Sequence, residues 1–269
     1  MKNFKGKAIY NPSGKAGEYS YWACNFYVGC SNDCAYCYCK KGVLASHMGG
    51  DTPTLKKCFK DEDHAMEIFQ KELLQNLEEL QKHGLFFSFT TDPLLVETAQ
   101  LTVRATEFAA RNNVPVSILT KGGIQETVYF TLQERVKDLA FGFTLTGHDE
   151  LEPFAPSNKA RIRAMEHVRF LFKCKVFASI EPVIDVDSSL DMINASQGYC
   201  DLYKVGLLSG GKYEREDIWY LINELSKYAM AGQKIYIKDS VLKAVNMKRS
   251  ELPDYFVDRD FNIFKGSRL

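Results

Sequence analysis

The chain has 269 residues, 45% apolar and 25% charged, the make-up of a globular protein with room for one barrel-sized domain or two smaller ones. Lys plus Arg and Asp plus Glu number 34 each, so the formal net charge is zero and composition makes no electrostatic case for a nucleic-acid partner, although a local basic groove is compatible with it. No run approaches the roughly 18 apolar residues of a membrane helix, and MKNFKGKAIYNPSGK holds no apolar signal-peptide core, so the expected location is the cytoplasm, with no membrane contact.

Residues 1–20 read as an N-terminal extension. The first strand is expected over Tyr21–Val28 (YWACNFYV), ending at Gly29. Met66, Phe69, Leu73, Leu77 and Leu80 recur at helical spacing, which predicts one helix over 64–83, stopped by Gly84. Strands follow at Leu85–Phe89 and Val114–Thr120, with a helix through Ala99–Asn112 between them and Gly122-Gly123 closing the second. A short helical segment leads to a strand at Leu139–Thr146, and Ser157 caps a helix running to about Phe172. The series continues with a strand at Lys175–Ile180, a helical segment at Leu190–Ala195, a strand at Leu202–Leu208, an amphipathic helix at Ile218–Met230 and a last strand at Gln233–Ile237. Residues 238–269 form a charged, aromatic C-terminal extension without an assignable role.

Strand and helix alternate, which means βαβ units and a parallel sheet in an α/β protein, either a barrel or a doubly wound sheet. In both, chemistry sits at the carboxyl ends of the strands. Those ends are polar and small here: Gly29-Cys30-Ser31, Thr90-Thr91-Asp92-Pro93, Thr120-Lys121, Thr144 to Asp149, Glu181-Pro182 and Ser209-Gly210-Gly211.

Cys30, Cys34 and Cys37 fall in one stretch just after the first strand. Thiolates suit iron–sulfur clusters and zinc. Three cysteines on a four-iron cubane leave one iron open to chelate a ligand, as a catalytic zinc keeps one free position. The alternative is a zinc knot completed by Cys24 or Cys39, neither of which makes a familiar zinc-pair spacing with the three. Cys58, Cys174 and Cys200 read as small buried hydrophobes.

The run Cys30-x3-Cys34-x-Tyr36-Cys37 resembles the signature of the radical S-adenosylmethionine superfamily. GCSNDCAYCY (29–38), TTDP (90–93), PVSILTKG (115–122), FTLTGHDELEPFAPS (143–157) and SIEPVID (179–185) resemble its spore photoproduct lyase-related, DNA repair photolyase-like branch, over roughly Tyr21 to Gly206. The resemblance implies a partial (β/α)6 barrel of the TIM type over 21–237. A [4Fe–4S] cluster on Cys30, Cys34 and Cys37 would bind S-adenosyl-L-methionine at its open iron and cleave it reductively to methionine and a 5′-deoxyadenosyl radical, which takes hydrogen from substrate. It further implies an electron donor such as flavodoxin or ferredoxin.

The strand-end residues take roles by the same resemblance. Lys121 would neutralise the methionine carboxylate, as a point charge on a flexible stem can; as a plain residue it is a loop lysine. Thr91 and Asp92 would receive the amino group, or Asp92-Pro93 simply begins a turn. Thr144 and Thr146 would meet ribose oxygens, or serve only as strand formers. Glu181 would bind ribose or substrate, or stand as a solvated acid. His148 reads as an inert loop histidine. The lyase carries a hydrogen-donor cysteine near its second strand end, whereas Phe87-Ser88-Phe89-Thr90-Thr91-Asp92 holds none, so its reaction does not carry over with the motif. Three readings stay open: a radical enzyme on an unidentified substrate, nucleic-acid repair or modification by the same chemistry, and a non-catalytic zinc or iron–sulfur binding module.

Overall fold

The structure is a computed structural model and describes residues 3–122 and 136–265; the helical segment expected before Leu139 lies outside these. Among the described residues ten strands form: β1 Ile9–Tyr10, β2 Ala23–Cys24, β3 Tyr27–Val28, β4 Thr54–Leu55, β5 Leu85–Phe87, β6 Val116–Thr120, β7 Leu139–Thr144, β8 Lys175–Val183, β9 Leu202–Leu207 and β10 Ile235–Ile237. The main sheet runs β1-β2-β5-β6-β7-β8-β9-β10. Every neighbouring pair in it from β2 to β10 is parallel, and β1 alone is antiparallel.

Strand order follows chain order without reversal, which rules out the doubly wound alternative. Side chains alternate between two cores at a period of two. Ala23, Phe86, Ala140, Phe177, Leu202 and Tyr236 form one cluster, although Ala23 lies on β2 and Tyr236 on β10. Strands far apart in the sheet share this interior, so the sheet curls into an open barrel. Their neighbours Cys24, Leu85, Phe87, Phe141, Val176 and Ile235 face the other way, into the larger core beneath the helices. Each fully buried large apolar side chain there stabilises by roughly 1.5–3 kcal/mol. On β7, Gly142 leaves space that the Phe177 ring fills, and any Cβ would collide with that ring.

Three of the described helices start where a side chain accepts one of their first amides. Asp61 Oδ1 takes His64 N at 2.7 Å, Ser157 Oγ takes Ala160 N at 3.2 Å and Asp185 Oδ1 takes Ser188 N at 2.8 Å. They open helices Glu62–Gln75, Asn158–Phe170 and Val186–Ser196. Among the described residues, no helix is long and apolar enough to cross a membrane.

Two elements divide where one is expected. The predicted helix over 64–83 divides into Glu62–Gln75 and Leu77–His83. Asn76 leaves helical geometry and its amide donates to Glu72 O at 2.8 Å, while Leu73 and Leu80 remain buried on both sides of the break. The predicted strand Tyr21–Val28 divides at Asn25. Its Oδ1 accepts Phe89 N at 2.8 Å, taking an amide that strand pairing would use, and Tyr27–Val28 turns away to pair antiparallel with Thr54–Leu55.

Described residues of both terminal segments pack on the barrel. Residues 14–19 bridge its open seam: Glu18 Oε1 accepts Asp239 N at 2.7 Å and Tyr236 OH at 3.1 Å, and Lys15 Nζ donates to Leu207 O at 3.0 Å. The tail sends Ile263, with Val257, Phe261 and Phe264 packed beside it, into the barrel interior.

Candidate functional site at the open end of the barrel

A cavity of about 460 Å³ opens at the carboxyl ends of the parallel strands. Cys30, Cys34 and Cys37 line one wall, with Cys39 beside them. The loop that carries them leaves the sheet at Gly29, whose φ of 79° suits glycine; a Cβ there would lie 2.5 Å from Thr52 O. Bonds to residues outside the loop hold it in place. Gly29 N donates to Met48 O at 3.2 Å and Cys30 N to Gly50 O at 3.0 Å. The Asn32 amide reaches Asp92 Oδ2 at 3.0 Å, and Ala35 N reaches Leu151 O at 2.9 Å. Lys40 adds ion pairs to Asp33 and Asp51.

The three thiols sit in different electrostatic surroundings. Burial pushes Cys30 up to about 11, helped by the Asp92 charge. Burial also raises Cys34. Cys37 is pulled down to about 6, first by a hydrogen bond from the Cys39 thiol, with the Lys121 charge contributing. Cys24 faces the core beneath the helices, away from this wall. Among the described residues, no three Cys, His, Asp or Glu side chains converge as ligands of one metal ion would.

Of the residues picked out at strand ends, Thr91, Asp92, Lys121, Thr144 and Glu181 line the cavity and Thr146 does not. The chain turns after Thr144, and the Thr146 hydroxyl accepts His148 N at 3.2 Å in the loop. The hydroxyl of Thr91 is buried without a hydrogen-bond partner. Asp92 is buried and both its oxygens are engaged: Leu94 N meets Oδ1 at 3.1 Å, Lys121 N meets Oδ2 at 2.8 Å, and the Thr120 hydroxyl meets Oδ1 at 2.7 Å, besides Asn32. Burial raises the Asp92 carboxyl above its ordinary value although these bonds pull it down. Asp92 thus acts as a hub joining the cysteine loop to the ends of β5 and β6. The Lys121 ammonium lies 5.3 Å from the Tyr36 ring centroid.

The far wall carries groups that strand-end reading alone does not find. Tyr19, from the N-terminal segment, donates to Glu181 Oε2 at 2.8 Å and meets Ser179 Oγ at 2.5 Å. Lys238, fully buried at the end of β10, pairs with the same Glu181 oxygen at 2.5 Å and donates to Lys15 O at 3.1 Å. Burial and the Glu181 charge hold the Tyr19 phenol well above its ordinary value. Below them Lys204 donates to Glu18 O and Tyr19 O at 3.0 Å each, and burial brings it down to about 7. Lys238 carried a usable signal, since it directly follows a predicted strand. Tyr19 carried none, because its place depends on how the N-terminal segment crosses the seam.

No protein-family profile matches the chain, and no curated protein matches it significantly. Solved structures do. A mutant of spore photoproduct lyase holding a dinucleoside spore photoproduct superposes with a TM-score of 0.62 at 14% identity, over 84% of this chain and 79% of the lyase. Another lyase mutant, with bound S-adenosylmethionine and the same dinucleoside, gives 0.51 at 14% identity, over 90% of this chain and 65% of the lyase chain. Streptococcus suis SuiB bound to its precursor peptide SuiA gives 0.55 at 11% identity, over 82% of this chain and 50% of SuiB, so the chain spans half of that protein's length. The chain has the open parallel-barrel fold that these two proteins share.

Proposed function

We propose that the chain is a radical S-adenosylmethionine enzyme, with Cys30, Cys34 and Cys37 holding a [4Fe–4S] cluster on the cavity wall. The single observation that carries this reading is that Cys30, Cys34 and Cys37, all on one loop, share one wall of a cavity at the carboxyl end of a parallel barrel. The donor set fits such a cluster: all three are soft sulfur ligands, and a cubane spreads them more widely than a single ion would. The buried, unpartnered Thr91 hydroxyl is the kind of polar atom a ligand satisfies.

Cluster and S-adenosylmethionine together would supply reductive cleavage to methionine and a hydrogen-abstracting 5′-deoxyadenosyl radical. The chain's own residues do the rest. Lys121 sets its charge toward the methionine carboxylate, and Thr91 accepts from the amino group. Glu181, with Oε2 given to Tyr19 and Lys238, keeps Oε1 for a ribose hydroxyl, and Thr144 lines the same cavity. Phe89, Leu119 and Leu207 surround the cavity with apolar surface that excludes water from a reactive intermediate. A flavodoxin- or ferredoxin-type protein would deliver the electron.

Anaerobic reduction of the iron-loaded protein with S-adenosylmethionine is expected to release 5′-deoxyadenosine, and Cys34→Ala to stop it. Purification from anaerobic growth with one zinc and no iron would overturn the reading. The dinucleoside held by the superposed lyase supports a second reading, nucleic-acid repair or modification by the same chemistry. Salt-sensitive binding of DNA or RNA is its expected sign, and absence of binding at low salt removes it.

A further inference from the structure

Glu152, in the segment after β7, and Arg161, in the Asn158–Phe170 helix that follows, form a buried charge pair against the cysteine loop. Glu152 and Arg161 are both fully buried at their side chains, with Arg161 Nη2 at 2.5 Å from Glu152 Oε2 as an ion pair not aligned as a hydrogen bond. The guanidinium is held on two other sides, by Thr144 O at 2.9 Å from Nη1 and Pro156 O at 2.8 Å from Nε. The other Glu152 oxygen accepts the Tyr36 hydroxyl and lies 4.0 Å from the Lys121 ammonium. One residue earlier, Leu151 O accepts Ala35 N from between Cys34 and Tyr36.

Charge counting gives this arrangement a purpose. Glu152 alone beside Lys121 would neutralise it. A buried guanidinium on the opposite carboxylate oxygen cancels Glu152 instead. Of these three charges, one positive charge then remains net, on Lys121, which lines the cavity together with the Asp92 carboxylate. Glu152 still fixes where that charge sits, through its own contact and through the Tyr36 ring beneath the ammonium. Isolated burial of either member would be costly, so the pair persists only as a pair.

We propose that Glu152 and Arg161 are positioning residues that aim the Lys121 charge and keep it unneutralised, so that this wall selects a ligand bearing a carboxylate. The proposal rests on reading the cavity as an S-adenosylmethionine site, but the charge arrangement is tested in metal-free protein, where its failure is distinct from failure of that reading.

The test uses the full-length metal-free chain, kept reduced, with iodoacetate and iodoacetamide at one pH and low ionic strength. Peptide mass analysis gives both alkylation rates at Cys34, which lines the cavity with Lys121 and Tyr36. Both reagents attack the same thiolate, so thiolate fraction and loop accessibility cancel in the ratio of rates. The local potential does not cancel, because only iodoacetate is charged. Glu152→Gln is expected to raise the iodoacetate-to-iodoacetamide ratio about threefold and Lys121→Met to lower it about threefold, both effects shrinking with added salt. The double change Glu152→Gln with Arg161→Met removes a neutral pair and is expected to keep the parent ratio. A purely structural role would speed both reagents together and leave the ratio alone. An unmoved ratio in a folded Glu152→Gln variant overturns the proposal. Where that variant does not fold, Lys121→Met and the double variant decide: any pattern other than a lowered ratio in the first and a parent ratio in the second overturns it.

Discussion

The side-chain amide of Asn32 donates to Asp92 Oδ2 across 3.0 Å, and this bond fastens the cysteine loop to the segment that follows β5. The same carboxylate takes Leu94 N, Lys121 N and the Thr120 hydroxyl, so one buried acid ties together three strand-end segments. Asp92→Ala leaves those donors buried without an acceptor. It is expected to destabilise the fold by about 2–4 kcal/mol in urea titration. A change below about 0.5 kcal/mol would mean that water replaces the carboxylate and that Asp92 is no hub.

Glu72 gives a second such anchor far from the cavity. Its carboxylate accepts Lys7 N at 2.6 Å, Ala8 N at 3.0 Å and Ile9 N at 2.7 Å, pinning β1 to the Glu62–Gln75 helix. Glu72→Ala is expected to cost about 3 kcal/mol and to expose the first twenty or so residues to protease before the rest of the chain. Proteolysis that begins elsewhere, with the N-terminus intact, would contradict this role.

Lys238 is buried between Glu181 at 2.5 Å and Glu18 at 3.8 Å. Lys238→Met strands those acids, with an expected loss of about 3–5 kcal/mol read from chemical denaturation. Gly206→Ala reaches the same pair sterically, because a Cβ there would lie 2.8 Å from both Glu181 Oε1 and Lys238 Cδ. It is expected to lower the melting temperature and weaken S-adenosylmethionine binding together. A Gly206→Ala protein with parent affinity would show that Glu181 does not touch the ligand.

His148 bridges Glu150 at 2.7 Å and Asp185. Burial works against its charge, but the bonds to the two carboxylates outweigh burial and raise it above its ordinary value of 6.5. A histidine raised on folding stabilises fully below its unfolded value and loses that contribution as pH rises through the folded one. Asp185 is shifted the opposite way: burial raises it, yet the Ser188 amide and His148 prevail and leave it low, so its share is lost only in acid. The melting temperature is therefore expected to fall modestly as pH rises from about 6 to about 8. His148→Gln should flatten that slope, and an identical slope in the variant would remove His148 from the explanation.

The strand series was readable because parallel strands buried on both faces are apolar runs, and helices between them carry a periodic stripe. Its errors fall where a side chain competes with the backbone. Asn25 and Asn76 each use their amides to interrupt an otherwise periodic segment, and periodicity cannot register a hydrogen bond. At the site, Thr91, Asp92, Lys121, Thr144 and Glu181 could be picked out because a barrel delivers strand ends to one place. Thr146 could not be separated from Thr144, since two residues beyond the last strand pair the chain has already turned.

By itself the sequence determines the alternation that makes a parallel sheet, the thiols on one loop and the carboxyl ends of the strands as the place where they must lie. These are local properties, set by spacing and by the period of the strand and helix. That the sheet curls into a barrel is decided by its strand order. Only the tertiary structure decides that Asp92 spends its oxygens on bracing, that Tyr19 and Lys238 form the far wall, and that Glu152 and Arg161 lie behind Lys121. Those pairings join residues remote in sequence, and burial, which alone makes such polar contacts strong, exists only once the chain has closed around them.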